Sequence, residues 1–290
     1  MKLAVIDIGS NAIRFQVTNI LKYKEVDHFK RLEYVRFPLR LGQDVFSSEK
    51  LKAKSIKKFH KLMKAFALLI ELYEVDHYMA CATSAMRESK NGQEVADEVK
   101  EKTGLQIKII DGGEEAILIN KAIAEHLDGK LSYMHIDVGG GSTELNLIRQ
   151  GELIGSRSFQ IGSVRRMDHR DTPQMWTEME DWITSTTDIS ELRTAIGTGG
   201  NINKLFELGG KEKGQNMTLS ELITVQSMLR ETTVDDRIYK LQLNPDRADV
   251  IIPASEIYIS VMQRGGISEI VVPDVGLKDG MIRMLYEEYN

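Results

Sequence analysis

A chain of 290 residues with 42% apolar and 28% charged side chains can bury a substantial core and is too apolar for intrinsic disorder. Its formal charge of −5 and pI near 5.8 give no global attraction for nucleic acid or an anionic membrane, so any anionic ligand must be held locally. The lone cysteine, Cys81, excludes an intrachain disulfide and a cysteine zinc cluster, and points to a reducing, cytoplasmic setting.

The opening MKLAVIDIGSN turns acidic and glycine-rich too early for a signal peptide. No stretch approaches the roughly 20 apolar residues of a membrane span, and the scattered histidines form no metal motif. Neither a nucleic acid nor a membrane is expected as a partner.

LAVID at 3–7 reads as a buried strand, and IRFQVTNI at 13–20 as a second strand after a turn at Gly9-Ser10-Asn11. Over 57–73 the apolar residues Phe59, Leu62, Met63, Phe66, Leu69, Ile70 and Tyr73 recur at helical spacing, which predicts a helix covering a sheet. HYMACAT reads as strand, GQEVADEVKEKTG as a helix closed by Gly104, LQIKIID as strand, and EEAILINKAIAEHLDG as a helix ending near Gly129. This alternation favours a partly parallel sheet with helices packed on it.

YMHIDVGGGS is then a strand, and ELNLIRQGELIGSRSF a hairpin turning at Gln150-Gly151. Aligning LAVIDIGSNAIRFQV with MHIDVGGGSTELNLI superposes Asp7 on Asp137 and suggests an internal duplication. A helix at 173–186, a strand TAIGTGG at 194–200 and a helix opening at Asn201 follow. Two helical stretches between 218 and 242, a helix around 248–263 with Pro253 in its first turn or at a kink, a strand EIVVPD and a final helix GLKDGMIRMLYEEY complete the chain.

A strand that ends in Asp-x-Gly and turns sharply back leaves bare backbone amides for an anion. The carboxylate repels phosphate, so its natural employment is a divalent cation or a water. Two such turns, with a third glycine loop GTGGNINKL at 197–205 before a helix N-terminus, could bracket a chain of phosphates.

These three loops resemble those of the actin, heat-shock-70 and sugar-kinase superfamily. The resemblance implies an α/β fold of two ribonuclease-H-like lobes around a cleft, the first over 1–122 and the second over 123–276, with a helix at about 277–290 returning to the first. Four more segments, CATSAMRES, IIDGGEEAIL, HIDVGGGSTEL and ADVIIPA with VPDVGLKDGMI, resemble the exopolyphosphatase and guanosine pentaphosphate phosphohydrolase family nearly from end to end.

That resemblance implies a hydrolase releasing the terminal phosphate of inorganic polyphosphate, or converting guanosine pentaphosphate to the tetraphosphate. Glu115 matches the family's catalytic base, Arg87 its phosphate-contacting arginine, and Asp137 and Glu144 its metal- and water-associated carboxylates. Asp7, Gly9, Ser10 and Asn11 fall in the first phosphate loop; Gly139, Gly140, Gly141, Ser142 and Thr143 in the second; Gly199, Gly200 and Asn201 in the third. The implied cofactor is Mg2+, with Mn2+ as alternative, and a homodimer is compatible with the fold.

Glu114 reads as an ordinary first-turn acid, and the basic cluster GSVRRMDHR as a solvated helix face, with Arg165 or Arg166 as an alternative extension of the groove. The chain departs from the family at Ala12, where Ser is frequent, and at Ile117, where Arg is frequent. With the sequence ending at Asn290, the C-terminal helical domains that many exopolyphosphatases add are not expected, nor is strong processive action on long polyphosphate. Two other readings stay open: an ATP-dependent kinase of the same superfamily, and a feebly catalytic sensor of guanosine tetraphosphate or polyphosphate.

Overall fold

A computed structural model describes residues 1–186 and 192–290. The chain divides into two compact units, Met1–Ala122 with Leu277–Asn290, and Ile123–Gly276.

The first unit contains β1 (Lys2–Ile8), β2 (Ile13–Tyr23), β3 (Val26–Phe37), α1 (Leu41–Ser48), α2 (Ala53–Leu72), β4 (His77–Ala82), α3 (Ser84–Glu88), α4 (Gly92–Thr103), β5 (Lys108–Ile109) and α5 (Gly112–Ile123). Its sheet has the order β3-β2-β1-β4-β5, with β1, β2 and β3 antiparallel and β4 and β5 parallel to their inner neighbours. Alternation along the strands sends Ala4, Ile6 and Phe15 to one face, packed with Phe59, Met63 and Phe66 of α2 and Val95 and Val99 of α4. Leu3 and Val5 point to the other, against Leu118 and Ile119 of α5 and Met281 and Leu285 of the last helix.

The second unit contains β6 (Ser132–Val138), β7 (Thr143–Arg149), β8 (Glu152–Phe159), α6 (Ser163–Met167), α7 (Pro173–Thr186), β9 (Thr194–Thr198), α8 (Gly200–Leu208), β10 (Asn216–Thr218), α9 (Leu219–Arg230), α10 (Val234–Tyr239), α11 (Pro245–Ala248), α12 (Ile251–Arg264) and β11 (Glu269–Val271). The final helix, α13 (Leu277–Tyr289), belongs to the first unit. It lies so close to α5 that a Cβ on Gly280 would stand 1.8 Å from the Leu118 carbonyl oxygen.

The second sheet has the order β10-β11-β9-β6-β7-β8. Read from β8, its first five strands repeat the first sheet: an antiparallel hairpin, a central strand, then two parallel neighbours. The duplicated sequence therefore occupies equivalent positions, with β1 and β6 at the centre of each sheet. Met134 and Ile136 of β6 join Leu145, Leu147, Leu205 and Tyr258 in the larger core.

Several elements differ from the sequence expectation. The strand expected over 105–111 shortens to Lys108–Ile109, because Leu105 and Ile107 are apolar for core packing rather than for a ladder. The helix expected to end near Gly129 starts at Gly112 and stops at Ile123, followed by a 3-10 turn at Ala124–His126. An early start follows from a reciprocal cap: Glu114 N–H donates to Asp111 Oδ1 at 2.8 Å, and Asp111 N–H to Glu114 Oε2 at 3.2 Å. The helix expected to open at Asn201 opens one residue earlier, at Gly200, and Pro253 sits in the first turn of α12 without breaking it. β3, α1 and α3 carried no recognised signal.

Candidate active site

In the first unit the turn after β1 closes through Gly9 N–H donating to Ala12 O at 3.2 Å. Its carbonyls are taken by the segment entering α1: Arg40 N–H donates to Asn11 O at 3.0 Å, and Gly42 N–H to Ser10 O at 2.8 Å. In a planar trans peptide the carbonyl and the following N–H point in opposite directions, so the amides of Asn11 and Ala12 turn away from α1. Such amides suit an anion. Gly42 permits this approach, since a Cβ there would stand 3.0 Å from Ser10 Cβ and 2.5 Å from the Phe46 ring.

The side chain of Ser10 reaches sideways, its Oγ 2.7 Å from Ser84 Oγ in a buried contact. Ser84 opens α3, and Arg87 lies in that helix's last turn. Arg87 Nη1 donates to the Ile110 carbonyl at 2.7 Å and stands 3.6 Å from Glu115 Oε2. The first loop, Arg87 and Glu115 are thus tied into one construction. Glu114, one position away, pairs with Lys108, and that partner holds its carboxyl below the usual carboxylate range. Glu114 caps and pairs, while Glu115 faces the arginine.

Asp7 is buried and its Oδ2 accepts from Arg14 Nη1 at 2.8 Å. Its carboxylate is held by a cation of its own strand neighbour, which removes its repulsion toward phosphate. Cys81, beside it in register, is no nucleophile: burial, then the Asp7 charge, pushes its thiol up to about 12.

In the second unit, Gly139 N–H donates to Ser142 O at 2.9 Å, closing the equivalent turn. Its carbonyls face α6: Gly139 O accepts from Ser163 N–H, Gly140 O from Val164 N–H and Arg165 N–H, and Gly141 O from Arg165 Nε at 2.9 Å. The same peptide geometry turns the amides of Gly140, Gly141 and Ser142 away from α6, three in succession. Gly162 is essential to this fit, because a Cβ there would come within 2.5 Å of Gly140 O. The hydroxyl of Ser142 donates to Glu144 Oε1 at 2.6 Å and that of Thr143 to Ile161 O at 2.6 Å. Both hydroxyls are committed internally, so what these residues offer a ligand is backbone.

Arg165 corrects the reading of the basic cluster as a solvated face or groove extension. It is buried and braces the second loop, while Arg166 pairs with Asp171 at 2.7 Å and with Glu256 at 2.5 Å. A run of basic residues in sequence could not disclose carboxylates five and ninety positions away.

Asp137 and Glu144 are cross-strand partners on β6 and β7, their side chains on one face. Ser158 Oγ joins Ser142 in donating to Glu144 Oε1, at 2.9 Å. Gly199, at φ 99°, lies against Asp137: a Cβ there would stand 3.0 Å from Asp137 Oδ1. The second and third loops therefore meet at this carboxylate. Gly200 opens α8 beneath Arg247, whose Nη2 would be 2.6 Å from an added Cβ, and Asn201 lies half-buried in the first turn.

Two carboxylates offer hard oxygen donors of the kind magnesium or manganese takes alongside water and phosphate. Asp137 and Glu144 fit such an ion. Among the described residues no group of three His, Cys, Asp or Glu gathers, so no protein-only metal cage is built there. Arg14, Ser84, Ser158 and Arg247 escaped the sequence reading, and Arg165 was given another role there, because each acts through a partner distant in sequence or across a strand. No helix among the described residues is long and apolar enough to cross a membrane.

A model of the Ppx/GppA phosphatase family matches residues 20–288. A bifunctional 3-dehydroquinate synthase/phosphatase of Fusobacterium nucleatum is 27% identical over 93% of the chain, which spans 44% of that protein. Exopolyphosphatase 1 of Mycobacterium leprae is 22% identical over 97% of the chain and 88% of its own length. A guanosine-5′-triphosphate,3′-diphosphate pyrophosphatase of Aeromonas hydrophila is 23% identical over 96% of the chain and 58% of its own length. The crystal structure of an exopolyphosphatase from Cytophaga hutchinsonii superposes with a TM-score of 0.86 at 21% identity, covering 100% of this chain and 99% of the other. At that identity the likeness establishes the fold: two mixed α/β sheets with their helices.

Proposed function

The chain belongs to the Ppx/GppA phosphatase family, and from that membership we propose that it hydrolyses a terminal phosphoanhydride, that of inorganic polyphosphate or of the 5′ arm of guanosine pentaphosphate. The observation that carries this reading is the Arg87–Glu115 pair, 3.6 Å apart at the head of α5 and linked through Ser84 to the first loop. Water attacks the terminal phosphorus, and Glu115 takes its proton. The bond to the bridging oxygen breaks, orthophosphate leaves, and the electron pair stays on the shortened chain.

Arg87 supplies a guanidinium fork for the equatorial oxygens, where charge is spread in the transition state. Amides of Asn11 and Ala12 in the first loop hold phosphoryl oxygens without blocking side chains, and those of Gly140, Gly141 and Ser142 in the second loop form a cradle of the same kind. Asp137 and Glu144 would hold the divalent cation, Mg2+ or Mn2+, which when bound would offset phosphate charge. Ser142 and Ser158 keep Glu144 oriented for that task.

The test is orthophosphate release from polyphosphate and from guanosine pentaphosphate in the presence of magnesium. Wild-type protein is expected to release it, and Glu115→Gln to be nearly inert while still binding substrate. Tight binding by wild-type protein with no release would replace hydrolysis by a sensor role.

A further inference from the structure

On the face of the first sheet that carries Asp7, register places Arg14 beside Asp7 and Arg36 beside Arg14, a row across β1, β2 and β3. Further along β3 the same face presents Tyr34, paired with Gln16, and, beyond a bulge, Arg31, paired with Thr18. Adjacent strands lie about 4.8 Å apart and residues rise ~3.3 Å along a strand, so Arg31 and Arg36 are separated by about 15 Å. α13 adds Lys278, whose Nζ lies 5.9 Å from the Tyr34 ring centroid, while the Arg31 guanidinium lies 5.6 Å from the same centroid. Arg283 sits over Phe29 on this face at 5.2 Å.

The chain is acidic overall, at −5, yet cations collect here. Asp7 pairs with Arg14, Asp279 with Lys278, and Asp27 accepts from the Tyr286 hydroxyl, so Arg31, Arg36 and Arg283 carry the charge in excess of these carboxylates. Arg31 and Tyr34 are exposed, and Arg14 and Arg36 half-buried, so the row can be reached by solvent. In the second sheet the equivalent row is Ser158, Glu144 and Asp137. The duplicated framework thus holds an acid pair in one lobe and an arginine pair in the other.

We infer that this face, from Arg14 and Arg36 to Arg31 and Lys278, is a track for the trailing phosphates of a linear polyphosphate whose terminal phosphate lies at the first loop. The inference rests on the hydrolase reading and narrows its substrate to the polymer. Cations already lie over the Tyr34 and Phe29 rings, so the surface presents positive charge rather than stacking platforms for a base. A run of about 15 Å between the outer arginines is longer than the short arm of a nucleotide. Only an extended polyanion engages the whole row.

The test uses full-length protein, the double variant Arg31→Ala/Arg36→Ala, and the exposed single variant Arg31→Glu in case the double variant fails to fold. Steady-state rates on tripolyphosphate, long polyphosphate and guanosine pentaphosphate are compared. KM for the long polymer is expected to rise roughly tenfold and lose part of its salt dependence, with kcat preserved and the two short substrates nearly unaffected. An unchanged KM for the polymer, or an equal rise for all three substrates, overturns the track.

Calorimetric binding of long polyphosphate is measured in parallel on Glu115→Gln protein with and without Arg31→Glu. Weaker binding caused by Arg31→Glu supports the track even if wild-type protein releases no phosphate, in which case the hydrolase reading alone fails. Equal binding by the two proteins, or none by either, removes the track.

Discussion

Arg87 uses one nitrogen, Nη1, for two neighbours: it donates to the Ile110 carbonyl at 2.7 Å and faces Glu115 Oε2 at 3.6 Å. The carbonyl fixes the guanidinium at the end of β5, and in the proposed reaction the rest of the fork takes the substrate. A lysine there cannot satisfy the carbonyl and present a planar fork together. Arg87→Lys is therefore expected to fold normally and lose roughly 100-fold or more in kcat, the scale of a lost oxyanion donor. Stopped assays of orthophosphate release, with thermal melts as the folding control, check this; near wild-type turnover would remove Arg87 from the reaction.

Substitution of the paired acids separates ion binding from folding. Glu144→Gln keeps an acceptor for the Ser142 and Ser158 hydroxyls, which lie at 2.6 and 2.9 Å from Oε1, so the β6–β7 hairpin should stand. Asp137→Asn likewise keeps its shape against Gly199. Each change removes one charge from the donor pair and should shift the magnesium dependence of turnover to about tenfold higher concentration or beyond, because a hard cation is bound chiefly by charge. Magnesium titration of the two variants decides it, and an unshifted curve places the ion elsewhere.

The second loop depends on bare backbone at a position outside it. A Cβ on Gly162 would meet Gly140 O at 2.5 Å, so Gly162→Ala should push α6 away from the three glycines and loosen Arg165 from Gly141. Overpacking of this kind costs about 1–3 kcal/mol, and loss of turnover should exceed the loss of stability. Gly129→Ala, where a Cβ meets nothing within 4 Å, is the matched control. Parallel melts and activities read the difference.

Much of this was legible in the sequence because it rests on local pattern. The two Asp-x-Gly turns announced matching hairpins, and Gln150-Gly151, both at positive φ, announced the β7–β8 turn. α7 falls on the expected 173–186, where apolar spacing and an N-terminal proline agree. β3 stayed hidden: its VDHFKRLEYVRF is largely exposed on an edge and bulged, so neither face gives clean alternation. α1 and α3 are too short for periodicity to show. At the site, glycines and acids were legible as types, whereas Arg14 and Arg165 became meaningful only once pairing set them against Asp7 and Gly141. Sequence spacing cannot show a cross-strand or loop-to-helix partner.

His135 provides a pH signature for the second lobe. It is fully buried on β6, with Nε2 2.9 Å from Thr198 Oγ1 and Nδ1 2.8 Å from the Asn146 amide nitrogen, while Asn146 Oδ1 accepts from Ser156. An amide nitrogen can only donate, so Nδ1 is the acceptor and the proton resides on Nε2, directed at the strand end that leads into the third loop. Burial pulls the imidazole down to about 3. The unfolded chain binds a proton near the ordinary value of about 6.5 while the folded chain does not. Stability contributed by the neutral ring is therefore fully present above pH ~6.5 and lost as pH falls toward ~3, with a slope approaching ~1.4 kcal/mol per unit. His135→Gln keeps a donor and an acceptor near these positions and abolishes the titration, so its urea stability between those limits should fall less steeply than that of the wild type. His135→Leu also removes the titration but strands Asn146 and Thr198, and should cost a further ~1–3 kcal/mol at neutral pH. Identical pH slopes in wild type and His135→Gln would mean that the ring takes up its proton in the folded state, and that the chain from Ser156 to Thr198 is not the closed network described.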